Sequence, residues 1–187
     1  MTNIFATADS HIFHTNILKY CNLPFNTISE MNDTILKNWN SVVGKKDIVY
    51  HLGDFILCNN PKLTREYLDA LNGRIVLIKG DHDKSVLTTA CRSRFENIYD
   101  THFLKVGNQY IVLDHHCRKS WKRSHYGVWH GFGHHHGNLN VYAASEGKLM
   151  DMWIGNNNFY PFSWEQIVAV MNTRPLNFND IKLKNGV

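Results

Sequence analysis

Cysteine and proline are scarce in this chain, with four of each among 187 residues. No two cysteines form a C-x-x-C pair, which argues against a zinc ribbon or a thioredoxin-like motif and predicts reduced thiols. No apolar run approaches the roughly 20 residues of a membrane span. The first residues also lack the basic and apolar regions of a secretory signal. We therefore expect a cytoplasmic protein with no membrane partner.

Charged residues are also limited, at 19%, while hydrophobic residues make up 43%. These values exclude intrinsically disordered, collagen-like and coiled-coil classes. The length predicts one domain over residues 1–187. A net charge of +4 permits an anionic substrate without requiring nucleic acid. Histidine, in contrast, is abundant: there are 12, and histidine is the commonest metal ligand.

The first half of the chain alternates strand and helix patterns. Short apolar strands are predicted at 3–8, 47–52 and 74–79. Amphipathic helices are predicted between them, one with Ser29 as its N-cap and one with Pro61 in its first turn. This β-α-β-α-β order is typical of right-handed crossovers and a largely parallel sheet.

The second half is richer in strand patterns. Residues 103–106 and 110–113 flank a turn and predict a hairpin. Further short strands are predicted at 140–144 and 149–154, and Ser163 begins a capping-box pattern for a last helix. We therefore expect an α/β fold with two stacked sheets flanked by helices.

Polar residues follow each of the three predicted strands of the first half, at its carboxyl end. Loops from adjacent parallel strands converge at that edge of a sheet. Three carboxylates in one cleft would repel each other unless a cation neutralised them, so the arrangement predicts a metal site. The three motifs are Asp9-Ser10-His11, Gly53-Asp54 and Gly80-Asp81-His82-Asp83.

The second half supplies nitrogen donors, in Asp114-His115-His116 and in Gly133-His134-His135-His136. Mixed carboxylate and imidazole donors suit Mn, Fe, Zn, Ni or Co better than Ca. In an extended segment His134 and His136 would share one face while His135 points away, so one motif could serve two metals. Each motif by itself is weak evidence for a metal site. The occurrence of all five in this order favours a metal site over a chance match.

In that order the five motifs resemble the calcineurin-like metallophosphoesterases, most closely the small single-domain members of bacterial and phage type. The resemblance extends over nearly the whole chain. It implies two stacked mixed β-sheets flanked by helices, a four-layer α/β/β/α sandwich. It also implies two divalent metal ions, with Mn²⁺ expected first, and hydrolysis of phosphodiester or phosphomonoester bonds by a metal-bridging hydroxide.

The resemblance assigns roles to nine residues of the motifs. His82 would act as acid or stabiliser of the reacting phosphoryl group, and Asp83 would orient His82. Asp54 would bridge the two ions. One ion would be held by Asp9, His11, Asp54 and His136, and the other by Asp54, Asp81, His115 and His134.

Asp81 departs from the family pattern, which usually has asparagine at this position. An aspartate can still bind a metal, but it adds a negative charge beside an anionic substrate. At about 4 Å and an effective dielectric constant near 20, one unit charge is worth on the order of 4 kcal/mol before relaxation. We therefore expect reduced activity relative to an asparagine at this position.

The sequence gives less information about which residues bind the substrate. Cations after His115 could grip a second phosphate and an aromatic ring could stack on a base, or this segment could be a solvated loop whose tryptophan packs inward. We take His51, His102 and His116 as structural, and His130 as a core or supporting histidine rather than a ligand. The candidate substrate-binding residues are His14, Arg118, Lys119, Trp121 and Arg123.

A small phosphorylated or nucleotide-like substrate is the first expectation. The alternatives are a nuclease acting on single-stranded nucleic acid and a weakly active or noncatalytic scaffold of the same fold, suggested by Asp81. Covalent catalysis is disfavoured because the sequence lacks a nucleophile elbow. The sequence leaves the oligomeric state open.

Overall fold

The computed structural model describes residues 2–177, which form nine strands and six α-helices. No helix within this range is long and apolar enough to cross a membrane. The strands are β1 (Ile4–Thr7), β2 (Ile48–His51), β3 (Arg74–Ile78), β4 (Phe95–Tyr99), β5 (Thr101–Val106), β6 (Gln109–Asp114), β7 (Trp129–Phe132), β8 (Leu149–Asp151) and β9 (Phe162–Ser163). The helices are α1 (Ile17–Tyr20), α2 (Ile28–Val42), α3 (Pro61–Ala70), α4 (Thr89–Arg92), α5 (Asn140–Glu146) and α6 (Trp164–Thr173).

The strands form two mixed sheets, as predicted. The first has the order β4-β3-β2-β1-β9, with β1 to β4 parallel and β9 antiparallel to β1. The second has the order β5-β6-β7-β8, with an antiparallel β5–β6 hairpin and parallel pairing from β6 to β8. Because β1, β2 and β3 are parallel neighbours, their carboxyl ends lie side by side at one edge.

The side-chain alternation of the central strands defines four layers. Ile75 and Leu77 of β3 face a core that includes Trp39 of α2 and Leu68 of α3. Val76 lies on the opposite face, in a second core shared with the other sheet. In β6, Val112 leaves this second core and joins a third on the outer side of the second sheet. Both sheets are therefore covered on both faces, as a helix–sheet–sheet–helix order requires.

Several local predictions are confirmed. Pro61 begins α3, and the Asn60 side chain accepts hydrogen bonds from two backbone N–H groups of its first turn. Ser163 and Gln166 form the reciprocal capping box that begins α6. The predicted hairpin corresponds to β5 and β6. These features depend on contacts between residues close in sequence, which explains why the sequence pattern predicts them.

Two local predictions are wrong. The segment predicted as a strand at 140–144 is helix α5, which ends before Gly147 and buries Ala143 in the third core. Its two alanines and Glu146 are good helix formers, and packing against β8 uses only one side of the segment. The N-cap of α2 is Thr27 rather than Ser29, because the Thr27 hydroxyl accepts the backbone N–H of Glu30 at 3.1 Å. The strand predicted at 149–154 is shorter and ends at Asp151.

Candidate metal centre

The first two sequence motifs lie side by side because the ladder between β1 and β2 continues beyond both strands. The backbone N–H of Asp9 donates to the Gly53 carbonyl at 3.0 Å, and that of His11 donates to the Asp54 carbonyl at 3.0 Å. The third motif follows β3, the next strand of the sheet. The carboxylates of Asp9 and Asp54 therefore meet at one edge, where His115 from the second sheet also arrives.

Two glycines of the motifs leave room for these carboxylates. A Cβ at Gly80 would lie 2.5 Å from Asp54 Oδ1, and one at Gly133 would lie 2.8 Å from Asp9 Oδ2. Any larger residue would displace a carboxylate. The glycines are therefore required by close approach of the chain to the site, not only by the turns that follow the strands.

Left-handed backbone conformations are concentrated at the site. Five of the seven residues that the resemblance assigns as ligands have positive φ angles, between 45° and 69°. Non-glycine residues adopt such angles rarely, and they cluster at functional sites where the surrounding structure imposes them. The five are Asp9, His11, Asp54, His134 and His136.

One group of ligand atoms comes from Asp9, His11 and His136, whose donor atoms lie within 4.8 Å of one another. The two Nε2 atoms of His11 and His136 face each other at 3.2 Å, and His11 Nε2 lies 3.7 Å from Asp54 Oδ2. On the far side of each ring, His14 Nδ1 lies 3.2 Å from His11 Nδ1, and Cys21 Sγ lies 2.8 Å from His136 Nδ1. These contacts orient both Nε2 atoms toward the same space.

The electrostatics of this group favour a bound cation. Burial lowers the pKa of His11 to about 2 and that of His136 to about 4, so both rings are neutral near pH 7. Burial also raises the pKa of Asp9 well above its usual range, and the charges of Asp151 and Asp54 raise it further. A divalent cation would offset the cost of burying these carboxylates, and protons on the histidines do not.

A second group consists of Asp81, His115, His116 and His134. Asp81 Oδ2 lies 3.2 Å from His116 Nε2, 3.3 Å from His134 Nδ1 and 4.0 Å from His115 Nε2. A third set, Asp9 with Asp54 and His115, joins the two groups. The two groups are thus adjacent, with Asp54 between them.

His115 provides a test of whether this centre fits a metal. Its Nδ1 donates to the Leu52 carbonyl at 2.7 Å, so Nε2 carries a lone pair. That Nε2 is buried, has no hydrogen-bond partner, and lies 3.6 Å from Asp54 Oδ1. A buried acceptor facing carboxylates is costly without a positive charge between them. Together with the mixed oxygen and nitrogen donors, this lone pair fits a borderline divalent ion.

His82 and Asp83 lie beside the centre, but not in the relationship that the resemblance implies. The backbone N–H of His82 donates to Asp54 Oδ1 at 2.8 Å, and the His82 side chain is exposed. Both oxygens of the buried Asp83 carboxylate accept backbone N–H groups, those of Asp54, Phe55 and Gly80. Asp83 therefore holds the loops of the second and third motifs together and does not bond to the His82 ring.

The segment after His115 agrees with the second of its two interpretations, in which the tryptophan packs inward. The Trp121 indole is buried and donates to the Val128 carbonyl at 2.9 Å, so it is unavailable for stacking on a base. The Arg118 guanidinium binds Asp114 and Thr101. Arg123 lies over the ring of Tyr110, near the amino end of β6 and far from His115.

Four of the five substrate-binding candidates are at least partly exposed, and the fifth, Trp121, is buried. Lys119 is exposed, and its neighbours Arg118 and Trp121 are engaged elsewhere. His14 is half-buried, and its contact with His11 Nδ1 places it at the edge of the centre. Of the five candidates, only His14 contacts a predicted ligand within the described residues.

Sequence reasoning missed three residues of this region. The sequence predicts a structural role for His116, but its side chain lies in the second group of candidate ligands. Cys21 contacts His136, and no sequence pattern indicated this, because 115 residues separate the two. Asp151 accepts the backbone N–H groups of Gly137 and Trp153, and burial raises its pKa to about 6. Its position at the end of β8 repeats the strand-end signal of the other motifs.

Comparisons with known proteins relate the chain to one protein family and to several similar proteins. The family model described as calcineurin-like phosphoesterase matches residues 2–185. An uncharacterized protein of Methanocaldococcus jannaschii is 39% identical over 175 residues, which cover 91% of this chain and 92% of that protein. The gene 66 protein of Mycobacterium phage L5 is 37% identical over 89 residues, 44% of this chain and 41% of that protein. The crystal structure of a protein of unknown function from Aquifex aeolicus has a TM-score of 0.72 at 25% identity, covering 91% of this chain and 100% of that one.

Proposed function

The chain belongs to the calcineurin-like phosphoesterase family, and we propose that it hydrolyses phosphodiester or phosphomonoester bonds of small nucleotide-like substrates with two divalent metal ions. Mn²⁺ is the ion we propose first, with Fe, Zn, Ni or Co as alternatives. When bound, such a pair supplies a water-derived nucleophile at neutral pH and positive charge for the phosphoryl oxygens.

The ligand assignment follows the two groups of donor atoms. Asp9, His11, Asp54 and His136 would hold one ion, and Asp54, Asp81, His115 and His134 the other. Asp54 suits the shared position because its Oδ2 faces His11 at 3.7 Å and its Oδ1 faces His115 at 3.6 Å.

His82 would act on the leaving group. Its backbone N–H is tied to Asp54 Oδ1, while its exposed ring lies with its centroid 6.2 Å from that of His11. The imidazole is therefore at the open side of the centre, where a protonated ring nitrogen would donate to the departing oxygen. The same group would stabilise charge on the phosphoryl oxygens when it does not transfer its proton.

The observation that carries the proposal is the buried, unpartnered Nε2 of His115. Its ring is held by the Leu52 carbonyl, and its lone pair faces the carboxylates of Asp54 and Asp81. A buried acceptor of this kind would be a cost to a noncatalytic scaffold that binds no cation. The ligand side chains are also all present, which argues against the scaffold alternative.

A small substrate is favoured over a polynucleotide because of where the basic segment lies. Arg118 is neutralised by Asp114, and Arg123 lies over Tyr110. A nuclease would require cations and aromatic rings along a strand path that leads to the metals. Trp121, the aromatic residue among this segment's cations, is buried.

The experiment combines metal analysis with turnover. The purified protein is stripped with a chelator, reloaded with Mn²⁺, Fe²⁺, Zn²⁺, Ni²⁺ or Co²⁺, and assayed on bis-p-nitrophenyl phosphate and p-nitrophenyl phosphate. We expect two ions per chain and a rate that disappears on stripping and returns on reloading. Asp54→Asn should lose at least one ion and most of the rate, while His135→Gln, which alters a histidine outside the ligand groups, should retain both.

A rate that does not depend on metal, or a protein that binds no metal, would overturn the proposal. Competition by single-stranded DNA tests the nuclease alternative in the same assay. Strong inhibition whose strength falls steeply with salt would favour the nuclease over a small-substrate enzyme.

A further inference from the structure

His116 is the one member of the second group to which the family resemblance assigns no role. Its Nε2 lies 3.2 Å from Asp81 Oδ2, and about half of its side chain is exposed. Asp81 is the residue at which this chain departs from the usual asparagine. His116, which the resemblance does not assign, and Asp81, which replaces the usual asparagine, are therefore in direct contact.

Three imidazoles converge on the same carboxylate oxygen. Asp81 Oδ2 faces His116 Nε2 at 3.2 Å, His134 Nδ1 at 3.3 Å and His115 Nε2 at 4.0 Å. The ring centroids of the three histidines are 4.5 to 5.2 Å apart. The rings thus surround one side of Asp81, and none of the three stacks face to face on another.

The separations match those of atoms that share an ion. Ligands about 2.0–2.2 Å from a tetrahedral metal lie roughly 3.3–3.6 Å from each other. The distances from Asp81 Oδ2 to His116 and His134 are close to that range. Those same distances also suit a hydrogen bond, so an experiment must separate the two readings.

The backbone of His116 is held in place independently of any ion. Its N–H donates to Asp114 Oδ1 at 3.0 Å. The Asp114 carboxylate also accepts the Thr101 hydroxyl at 2.6 Å and Arg118 Nε at 2.7 Å. The turn that carries both His115 and His116 is therefore anchored to β5 and to the following segment, which fixes the position of the His116 backbone.

We propose that His116 Nε2 is an additional ligand of the second ion, so that this site combines the carboxylates of Asp54 and Asp81 with three imidazoles, from His115, His116 and His134. The inference rests on the proposed function and changes the metal expected for this second ion, for which Mn²⁺ is no longer the first choice. A site rich in imidazole favours Zn²⁺, Co²⁺ or Ni²⁺ over Mn²⁺ and Mg²⁺. The anionic Asp81 suits this site because its charge is offset by the ion that three neutral nitrogens help to hold.

The test measures metal binding directly, without turnover. Wild-type protein and the variants His116→Ala, His116→Gln and His135→Ala are titrated with Zn²⁺, Co²⁺ and Mn²⁺ against a chelator of known affinity, and the visible spectrum of the Co²⁺ form is recorded. His116→Gln keeps a hydrogen-bond donor for Asp81 but removes the imidazole. His135→Ala is the matched control, because His135 follows His134 and lies outside the ligand groups.

We expect both His116 substitutions to lower the affinity for one of the two bound Zn²⁺ or Co²⁺ ions by roughly 10- to 100-fold. Loss of a residue that only hydrogen-bonds to a metal ligand already costs this much, and loss of a ligand should cost at least as much. The Co²⁺ spectrum should change in both, the Mn²⁺ affinity should change less, and His135→Ala should match the wild type. Wild-type affinity in His116→Gln, with a loss only in His116→Ala, would make His116 a hydrogen-bond partner and overturn the proposal.

The outcome separates this inference from the proposed function. If the wild type binds two ions and hydrolyses phosphoesters but both His116 variants bind metal equally well, only the inference fails. If the wild type binds no metal, both fail. Circular dichroism of each variant confirms folding, and because His116 is half-exposed, neither substitution opens a buried cavity.

Discussion

The Asp83 carboxylate holds the backbone of Asp54 in place. Asp83 Oδ2 accepts the Asp54 N–H at 3.1 Å and the Gly80 N–H at 2.7 Å, while Oδ1 accepts the Phe55 N–H at 2.9 Å. Burial raises the pKa of Asp83, and these three donors oppose that increase. The residue that would bridge two metals is thus positioned by a carboxylate that does not itself face the metal site.

Asp83→Asn should therefore weaken the metal centre, although it replaces none of the predicted metal ligands. The amide keeps one acceptor oxygen and turns an N–H₂ group toward backbone donors, so at least one buried donor loses its partner. We expect a loss of about 1–3 kcal/mol in the free energy of unfolding, measured with urea, together with weaker metal binding. The exposed Asp33→Asn is the control, and equal stability of the two variants would contradict this role of Asp83.

His82→Ala tests the proton donor at the open side of the centre. Its exposed ring packs little, so folding and metal content should be unchanged. Turnover on bis-p-nitrophenyl phosphate should fall roughly 10²- to 10⁴-fold, the range of a positioned acid. His125→Ala removes another histidine and should keep the rate. A His82→Ala rate near that of the wild type would remove His82 from the reaction.

Asp81→Asn restores the residue usual for the family. The substitution removes one negative charge beside the substrate, so we expect two metals to remain bound and phosphoesterase turnover to rise. Metal stoichiometry and kcat are measured together on the same preparation. A loss of metal or of activity would mean that the carboxylate is the better residue here, in keeping with the three imidazoles that face it.

His130 predicts a pH dependence of stability. It is fully buried, its Nδ1 donates to the Val112 carbonyl, and its Nε2 accepts the Arg118 N–H. Burial lowers its pKa from 6.5 to about 4 in the folded protein. Between these values the unfolded chain binds more protons, so the stability present above pH 6.5 is lost as the pH falls toward 4.

The expected loss of unfolding free energy follows from the difference between the pKa values of His130 in the folded and unfolded states. Between pH 7.5 and 5, the wild type should lose about 2 kcal/mol more unfolding free energy than His130→Gln, which has no titrating ring. Urea unfolding of chelator-treated protein at the two pH values measures this difference. Equal losses in both proteins would show that His130 titrates normally in the folded state.

The local sequence was sufficient for features whose partners lie a few residues apart. Pro61 and Ser163 each begin a helix because the groups that they satisfy are in the next turn. The convergence of the strand-end motifs was also predictable, because parallel pairing brings the carboxyl ends of β1, β2 and β3 to one edge. The segment at 140–144 is a helix and not the predicted strand, because its two alanines favour a helix and Ala143 packs on the second sheet.

The sequence by itself determined which chemical groups are available and at which strand ends they occur, since alternation and turn residues are local properties. Only the tertiary structure decided which of them face each other. Cys21 meets His136 across 115 residues, His116 turns toward Asp81, and Trp121 turns inward to Val128. Such side-chain directions depend on the packing of two separate sheets, and no short stretch of chain encodes that packing.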